Sequence, residues 1–299
     1  MMSFLRSPKA DLDIVVRGGP FYPGSDVNVE VSLLPKQDFH VRKGVLELLC
    51  IETYWDVVTY YVSSGKYGGS YRTRTQKCTR PLVNLSEPFM GDTSVSIMDG
   101  YSNKVKFILP ENAPPTVKGH TAHIVWSLKA SLDIARARDI HKENEVVVLP
   151  VPLAEVADEE YQRLSHTIAE SVLDQCKLSL LSSITNIQAG GTIDGELQVQ
   201  VQSDEELRPR EIRVELLCSE VAGSRAKEIV EDAVVLQKDE ELYGHSFNKW
   251  PFQLRVPIGL MPSVAVGNSH VVWHVKGTLD IKMKKDFVVD GAIQVSSAL

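Results

Sequence analysis

Apolar and polar residues alternate with a period of two along much of this chain. In the segments 27–33 and 193–201, apolar residues recur on one parity and polar residues occupy the other. The apolar positions are Val27, Val29, Val31, Leu33, Ile193, Leu197, Val199 and Val201. Because successive side chains of a strand point to opposite faces of a sheet, the pattern predicts strands with one buried and one solvated face.

The chain also repeats itself, since segments of its first half match segments of its second half in the same order. GVLELLC, which ends at Cys50, matches IRVELLC, which ends at Cys218, and VKFILP matches FQLRVP. From those two prolines onward a constant separation of 147 residues holds without a gap and pairs Trp126 with Trp273. These matches predict an internal duplication. Both tryptophans alternate with apolar residues, namely Ile124, Leu128, Val271 and Val275, so both indoles are predicted to lie in the core.

Each half contains several short alternating runs separated by Gly, Pro, Asn and Asp, which is typical of a β-sandwich. The predicted fold class is all-β, with two sandwich domains at residues 1–153 and 172–299. Alternation stops between them, so residues 154–171 are predicted to be a linker. A short helix is predicted to begin there at Asp158, with Tyr161, Leu164 and Ile168 on one side.

The two halves differ in length between the matched segments. The first half has about 21 extra residues between Cys50 and Pro110 compared with the second. They fall in TYWDVVTYYVSSGKYGGSYRTRTQKCTR, where two β-prone runs flank a Gly-rich stretch. This arrangement predicts a long β-hairpin.

Cations are concentrated in that hairpin, beside several tyrosines. The candidate partner-binding residues are Arg72, Arg74, Lys77, Arg80, Tyr67 and Tyr71, with Tyr60 and Tyr61 close by. The three arginines share one parity and form a cationic stripe if the strand is unbroken. Guanidinium groups suit phosphate or carboxylate partners, and strand edges accept extended peptides. The alternative is a solvated edge strand whose charges prevent aggregation.

Composition narrows the classes of function. The chain has 299 residues and a net charge of −7, which does not suit a dedicated nucleic-acid binder. No signal peptide and no apolar run long enough to span a membrane is visible. The four cysteines form no C-x-x-C pair, so a reducing, cytoplasmic location is expected.

Several segments resemble the arrestin-like family. FYPGSDVNVEVSL is similar to the opening of arrestin-like N-terminal domains, and FILPENAPPTVKGHTAHIVWSLKASLD is similar to a Leu-Pro segment of the same family. The second half repeats the latter as LRVPIGLMPSVAVGNSHVVWHVKGTLDI. The resemblance implies two immunoglobulin-like sandwiches joined by a hinge, with concave faces that dock partners, and it implies an adaptor function.

The chain resembles α-arrestin and retromer-type members more than receptor-regulating arrestins. Val151 stands where the resemblance would place a phosphate-sensing basic residue, and Pro114-Pro115 is not followed by the rest of a P-P-x-Y motif. The chain given stops at Leu299, directly after the last predicted strand. Because of Val151 a phosphate-triggered switch is not expected, and the three departures together do not favour a full signalling arrestin.

Catalytic motifs are weak in comparison. His270 and His274 have the spacing of a zinc pair, but that spacing brings two ligands together on a helix and not on a strand. Gly65-Lys66 lacks the rest of a P-loop, and the matched Asp133 and Asp280 are expected to lie in separate domains. We expect no enzyme activity, no metal and no cofactor.

The sequence therefore predicts a non-catalytic cytosolic adaptor that binds protein partners, including acidic or phosphorylated segments. It predicts no nucleic-acid partner and at most peripheral membrane contact. The alternative is a membrane-surface or retromer-like coat component, and an enzyme with an unrecognised site is a third hypothesis. The oligomeric state is not predicted.

Overall fold

The alternating segments are strands in the computed structural model, which describes residues 8–65, 68–97, 99–151, 166–173 and 175–297. Among these residues the chain is all-β and contains no helix, consistent with the β-sandwich class. No helix in the described part is thus long and apolar enough to cross a membrane.

Nine strands are described in the first half of the chain. They are β1 (Ala10–Arg17), β2 (Asp26–Pro35), β3 (Phe39–Ser63), β4 (Gly69–Met90), β5 (Thr93–Val95), β6 (Tyr101–Ile108), β7 (Val117–Lys118), β8 (His123–Ile134) and β9 (Ile140–Val146). Strands β3 and β4 are neighbours in their sheet, which confirms the predicted long hairpin.

Ten further strands are described in the second half. They are β10 (His166–Val172), β11 (Cys176–Ser182), β12 (Asn186–Gln188), β13 (Thr192–Val201), β14 (Pro209–Ala222), β15 (Arg225–Lys238), β16 (Phe247–Arg255), β17 (Val264–Val266), β18 (Ser269–Ile281) and β19 (Phe287–Ser296). Strands β14 and β15 pair as an antiparallel hairpin.

The described structure divides into two units that do not follow the chain in two simple blocks. Unit 1 comprises residues 1–53, 77–117 and 123–151, and unit 2 comprises residues 54–76, 118–122 and 152–299. The distal part of the β3–β4 hairpin, Tyr54–Gln76, therefore belongs to unit 2. The predicted domain and linker boundaries remain predictions.

Unit 1 contains two sheets. One has the strand order β1-β2-β6, and the other has the order β4-β3-β8-β7, with β5 paired to β3 and β9 paired to β8. Val27, Val29, Val31 and Leu33 are at most 2% exposed, so the predicted parity of this strand is confirmed. Trp126 is fully buried, as predicted.

Unit 2 also contains two sheets of its own. Their orders are β10-β11-β13-β16 and β12-β19-β18-β14-β15, with β17 paired to β18. Ile193, Leu197, Val199 and Val201 are buried on β13, and Trp273 is buried on β18. The predicted core parity is therefore confirmed in this half too.

The two buried tryptophans make corresponding hydrogen bonds within their own units. Trp126 Nε1 donates to the carbonyl oxygen of Pro114 at 2.8 Å, and Trp273 Nε1 donates to that of Met261 at 2.9 Å. Both acceptors precede their tryptophan by 12 residues. Each indole therefore anchors the loop that leads into its own strand.

A hydroxyl group near each tryptophan provides a second correspondence. Thr116 Oγ1 accepts a hydrogen bond from Val148 N at 3.0 Å in unit 1. In unit 2 the hydroxyl of Ser263 accepts one from Val295 N at 2.9 Å. The same hydroxyl–backbone hydrogen bond thus occurs in both halves, at a buried threonine in unit 1 and a half-buried serine in unit 2.

The matched aspartates form a third correspondence, at a β-bulge. The β3–β8 register shifts between Val41 and Lys43, and the bulged Arg42 donates to Asp133 at 3.2 Å. The β14–β18 register shifts between Pro209 and Glu211, and Arg210 donates to Asp280 at 2.6 Å. Each aspartate thus partners an arginine of its own unit.

The predicted linker helix is only partly within the described residues. Asp158, Tyr161 and Leu164 lie outside them, whereas Ile168 lies in β10, at the point where the β10–β11 register shifts. The helix prediction is therefore wrong for Ile168, because edge pairing with β11 organises this backbone as a strand.

Candidate protein-binding site

The distal β3–β4 hairpin ends in a glycine turn. Ser64 N donates to the carbonyl oxygen of Gly68 at 2.8 Å, and Gly65 and Gly68 have φ angles of 73° and 94°. Such positive φ angles favour glycine because it has no Cβ. These glycines therefore form a turn, in agreement with the rejection of a P-loop.

The candidate cations all lie on β4, which is the edge strand of its sheet among the described strands. Arg72, Arg74, Lys77 and Arg80 are exposed, on one unbroken strand. The unit boundary falls between Gln76 and Lys77. Arg72 and Arg74 therefore belong to unit 2, and Lys77 and Arg80 belong to unit 1.

These cations are not neutralised by neighbouring carboxylates. In the described part of the chain none of the four forms an ion pair. Arg74 donates to Gln76 Oε1 at 3.3 Å and lies 5.5 Å from the centroid of the Tyr60 ring. Both contacts orient the guanidinium group, and neither of them supplies a carboxylate to it.

Tyrosine rings surround the two distal arginines. Tyr61 and Tyr71 form an edge-to-face pair with ring centroids 5.3 Å apart, and Tyr71 is 77% exposed. Tyr60 is also exposed. Tyr67, which the sequence included in the site, lies outside the described residues. Exposed tyrosine and arginine together are typical of protein-binding surfaces.

The base of this distal segment is fixed by the β14–β15 turn, all within unit 2. Ser224 N donates to the carbonyl oxygen of Trp55 at 2.7 Å, and the Arg225 guanidinium carbon lies 3.4 Å from the Trp55 ring centroid. Gly223 has a φ of 63°, and a Cβ there would lie 2.0 Å from the Trp55 carbonyl oxygen. Only glycine therefore fits at this contact.

A buried carboxylate on β14 makes a second contact between the β14–β15 hairpin and another part of unit 2. Glu220 on β14 is fully buried and accepts hydrogen bonds from His120 N at 3.1 Å, Thr121 N at 2.8 Å and Ala122 N at 3.2 Å. The Thr121 hydroxyl adds a contact at 3.2 Å. Burial alone would raise the pKa of Glu220, but the hydrogen bonds from Thr121, His120 and Ala122 hold this pKa below its ordinary value.

The cysteines of the core offer no reactive thiol. Cys50 and Cys218 are fully buried, as predicted from their parity. Burial raises the pKa of each of these thiols to about 12 and raises that of Cys176 to about 11. These three thiols are therefore protonated at neutral pH, and the thiolate is the reactive form.

The histidines do not converge on a metal centre. His270 and His274 both lie on strand β18, and His274 Nδ1 is 3.5 Å from Asp290. Across the described ranges, no three His, Cys, Asp or Glu side chains are placed to hold one metal ion.

A shallow depression on the β1-β2-β6 sheet is a weaker candidate site. It has a volume of about 340 Å³, and Arg17, Glu30, Lys104 and Lys106 are among its lining residues. Two of its cations are paired, since Arg17 contacts Glu30 at 2.7 Å and Lys106 contacts Asp26 at 2.7 Å. The hydrogen bond from Arg17 is the main cause that lowers the pKa of Glu30.

Two features of the hairpins were missed from the sequence, namely the buried glutamates and the Trp55 anchor. Glu52 and Glu220 each follow a buried matched cysteine by two residues, on the inward parity, and both are fully buried. A glutamate at a core position in both halves was the signal that could have revealed them. Nothing in the local sequence links Trp55 to Arg225.

Comparison with known proteins adds no family assignment. A scan against protein-family models finds no match, and a search of curated proteins finds no match either.

Proposed function

We propose that this chain is a non-catalytic cytosolic adaptor of arrestin-like type, which binds protein partners through the basic β4 strand. The observation that carries the proposal is the row of exposed cations on an edge strand that form no ion pair with any described residue, with tyrosines beside its distal part. Arginine groups of this kind favour acidic or phosphorylated protein segments.

The arrestin-like part of the proposal is two immunoglobulin-like sandwiches that arose by duplication. It is supported by the corresponding tryptophan and hydroxyl hydrogen bonds and by the corresponding arginine–aspartate bulges. Such correspondence of polar contacts is expected of two domains with a common ancestor. All four cysteines lack a disulfide, which is in keeping with a cytosolic location.

Partner capture from native cytosol tests the proposal. We would compare the wild-type protein with a variant in which Arg72, Arg74, Lys77 and Arg80 are all changed to Ser. Recovered proteins would be identified by mass spectrometry and rebound in purified form. We expect a specific partner that the wild type retains and the variant loses.

Two pair variants locate the contribution of each unit. Arg72→Ser with Arg74→Ser removes the cations of unit 2, and Lys77→Ser with Arg80→Ser removes those of unit 1. Equal capture of the same proteins by all versions would overturn β4 as the binding surface. Recovery of a stable set of coat subunits would favour the coat alternative.

A further inference from the structure

The distal β4 edge has backbone groups that no described strand pairs with. Within unit 2, residues 69–76 pair on one side with β3, and no strand of the described chain lies on the other side. The first proline of β4 is Pro81, so every residue in this stretch keeps its N–H group. At about 3.3 Å per residue, eight residues offer an edge of roughly 26 Å.

The charge pattern of this edge is of one sign and has a defined spacing. Arg72 and Arg74 are two residues apart, so their side chains leave the strand on the same face. Asp56 is the only acidic residue in the distal hairpin segment 54–76, and its Oδ1 accepts a hydrogen bond from Val57 N at 2.7 Å. The two guanidinium groups therefore face solvent without a carboxylate partner in the described chain.

We propose that residues 69–76 accept an extended acidic segment of a partner protein by strand addition, with carboxylates at alternate positions facing Arg72 and Arg74. The inference deepens the proposed function and rests on it. In a paired strand, residues two apart project on one face, so the spacing of the arginines selects the spacing of the acids. Main-chain pairing supplies affinity, and the two ion pairs supply selectivity.

A protein segment fits this edge better than a membrane surface does. Recognition of anionic lipid relies on clusters of about four to eight basic residues and has no need for a strand edge. Here the described distal segment offers two arginines at fixed spacing on a strand edge that no described strand pairs with. Tyr60 and Tyr71 add exposed aromatic surface for the side chains of the added strand.

Two synthetic peptides of equal composition test the spacing. Both are extended ten-residue Thr- and Val-rich hosts with two Glu residues, placed two apart in the first and adjacent in the second. The adjacent arrangement puts its carboxylates on opposite faces of the added strand. We expect calorimetry to show at least tenfold tighter binding of the first peptide, and this preference to disappear with Arg72→Ser and Arg74→Ser.

A third peptide tests the strand pairing. N-methylation of alternate amides removes the donors that pair with β4 but leaves both carboxylates in place. We expect this peptide to lose binding, and the unmodified peptide to slow amide exchange at residues 69–76. Because both arginines are exposed, the variant with Arg72→Ser and Arg74→Ser should have the same free energy of unfolding as the wild type. Denaturant titration checks this.

The outcomes separate this inference from the proposed function. Equal binding of the two spacings, or full binding by the N-methylated peptide, would overturn strand addition. Binding of phosphatidylserine vesicles without binding of either peptide would also overturn it. If capture of a partner from cytosol still required Arg72 and Arg74 in those cases, the adaptor proposal would stand and only strand addition would be rejected.

Discussion

The β3–β4 and β14–β15 hairpins begin from matching sequences and place an edge strand on each large sheet, but their edge strands carry different charges. Strand β15 has three cations and three anions: Arg225, Lys227, Lys238, Glu228, Glu231 and Asp232. Strand β4 has Arg72, Arg74, Lys77 and Arg80 and no acid before Glu87. Charged side chains protect edge strands in general, so protection of an edge does not require charges of a single sign.

The two edge strands also differ in the contacts that their charged side chains make with the protein. On β15, Glu228 accepts a hydrogen bond from Ser219 at 3.1 Å, and Asp232 accepts one from Arg255 N at 2.6 Å. Arg225 covers the Trp55 ring. Three charged residues of β15 thus contact the protein itself, whereas the four cations of β4 form no ion pair with any described residue.

The largest expected effect comes from Glu220, which anchors the β14–β15 hairpin. Glu220→Gln replaces one of the two accepting oxygens by an NH2 group, which then faces backbone N–H donors. Because buried donors lose an acceptor, the free energy of unfolding should fall by about 2–4 kcal/mol. Denaturant titration measures this loss. A change below about 0.5 kcal/mol, typical of surface sites, would contradict the role given to this carboxylate.

The same residue predicts a pH dependence. Since the folded protein holds the pKa of Glu220 below its ordinary 4.5, the native state binds fewer protons than the unfolded state in that range. Its stabilising contribution is complete above this ordinary pKa and is lost as the pH falls through the folded value. Titrations from neutral to acid pH should therefore show a steeper loss in the wild type than in Glu220→Gln; parallel curves would refute this.

Gly223 is the next test of the anchored hairpin. Gly223→Ala adds a Cβ at positive φ, which alone costs about 1–2 kcal/mol, and the contact with the Trp55 carbonyl adds to this. We expect a lower unfolding midpoint in denaturant. Gly65→Ala, also at positive φ but with open space around its Cβ, is the matched control and should cost less.

A smaller effect is expected where Arg225 covers Trp55. Arg225→Ser removes a cation–π contact worth about 0.5–2 kcal/mol, while Arg225→Lys should retain part of it. Thermal unfolding of both variants checks whether Arg225→Ser lowers the unfolding temperature more than Arg225→Lys does. If serine and lysine behaved alike and both matched the wild type, the ring contact would contribute nothing to the anchor.

The smallest stability effects are expected at the exposed charges of both edges. Arg72→Ser with Arg74→Ser, and Lys227→Ser with Lys238→Ser, should each change the free energy of unfolding by no more than about 0.5 kcal/mol, as surface substitutions do. Equilibrium unfolding measures both. A large destabilisation by the β4 pair would mean that these arginines hold the fold and are not available for binding.

Local pattern was sufficient to predict much of this fold. Alternation placed Val29 and Val199 in the core, and it also predicted burial of both tryptophans. The glycine-rich stretch predicted the β3–β4 turn, and edge-strand exposure of Arg72 followed from the same pattern. Each of these features depends on residues close together in sequence.

Features that depend on distant contacts were not predictable in this way. The Glu220 carboxylate meets Thr121 across 99 residues, and Ser224 meets Trp55 across 169. Ile168 had helical spacing, but pairing with β11 makes its segment a strand. Local propensity cannot reveal such pairings, because the stabilising contacts come from another part of the chain.

Partner recovery by the two edge variants is the most direct test of the central claim. Wild type, Arg72→Ser with Arg74→Ser, and Lys227→Ser with Lys238→Ser would be compared in one quantitative capture experiment, with aggregation followed in parallel. We predict that the β4 variant loses the partner and stays monodisperse, while the β15 variant keeps the partner. Retention of the partner by the β4 variant, together with aggregation, would contradict the account and identify its cations as protection of an edge strand.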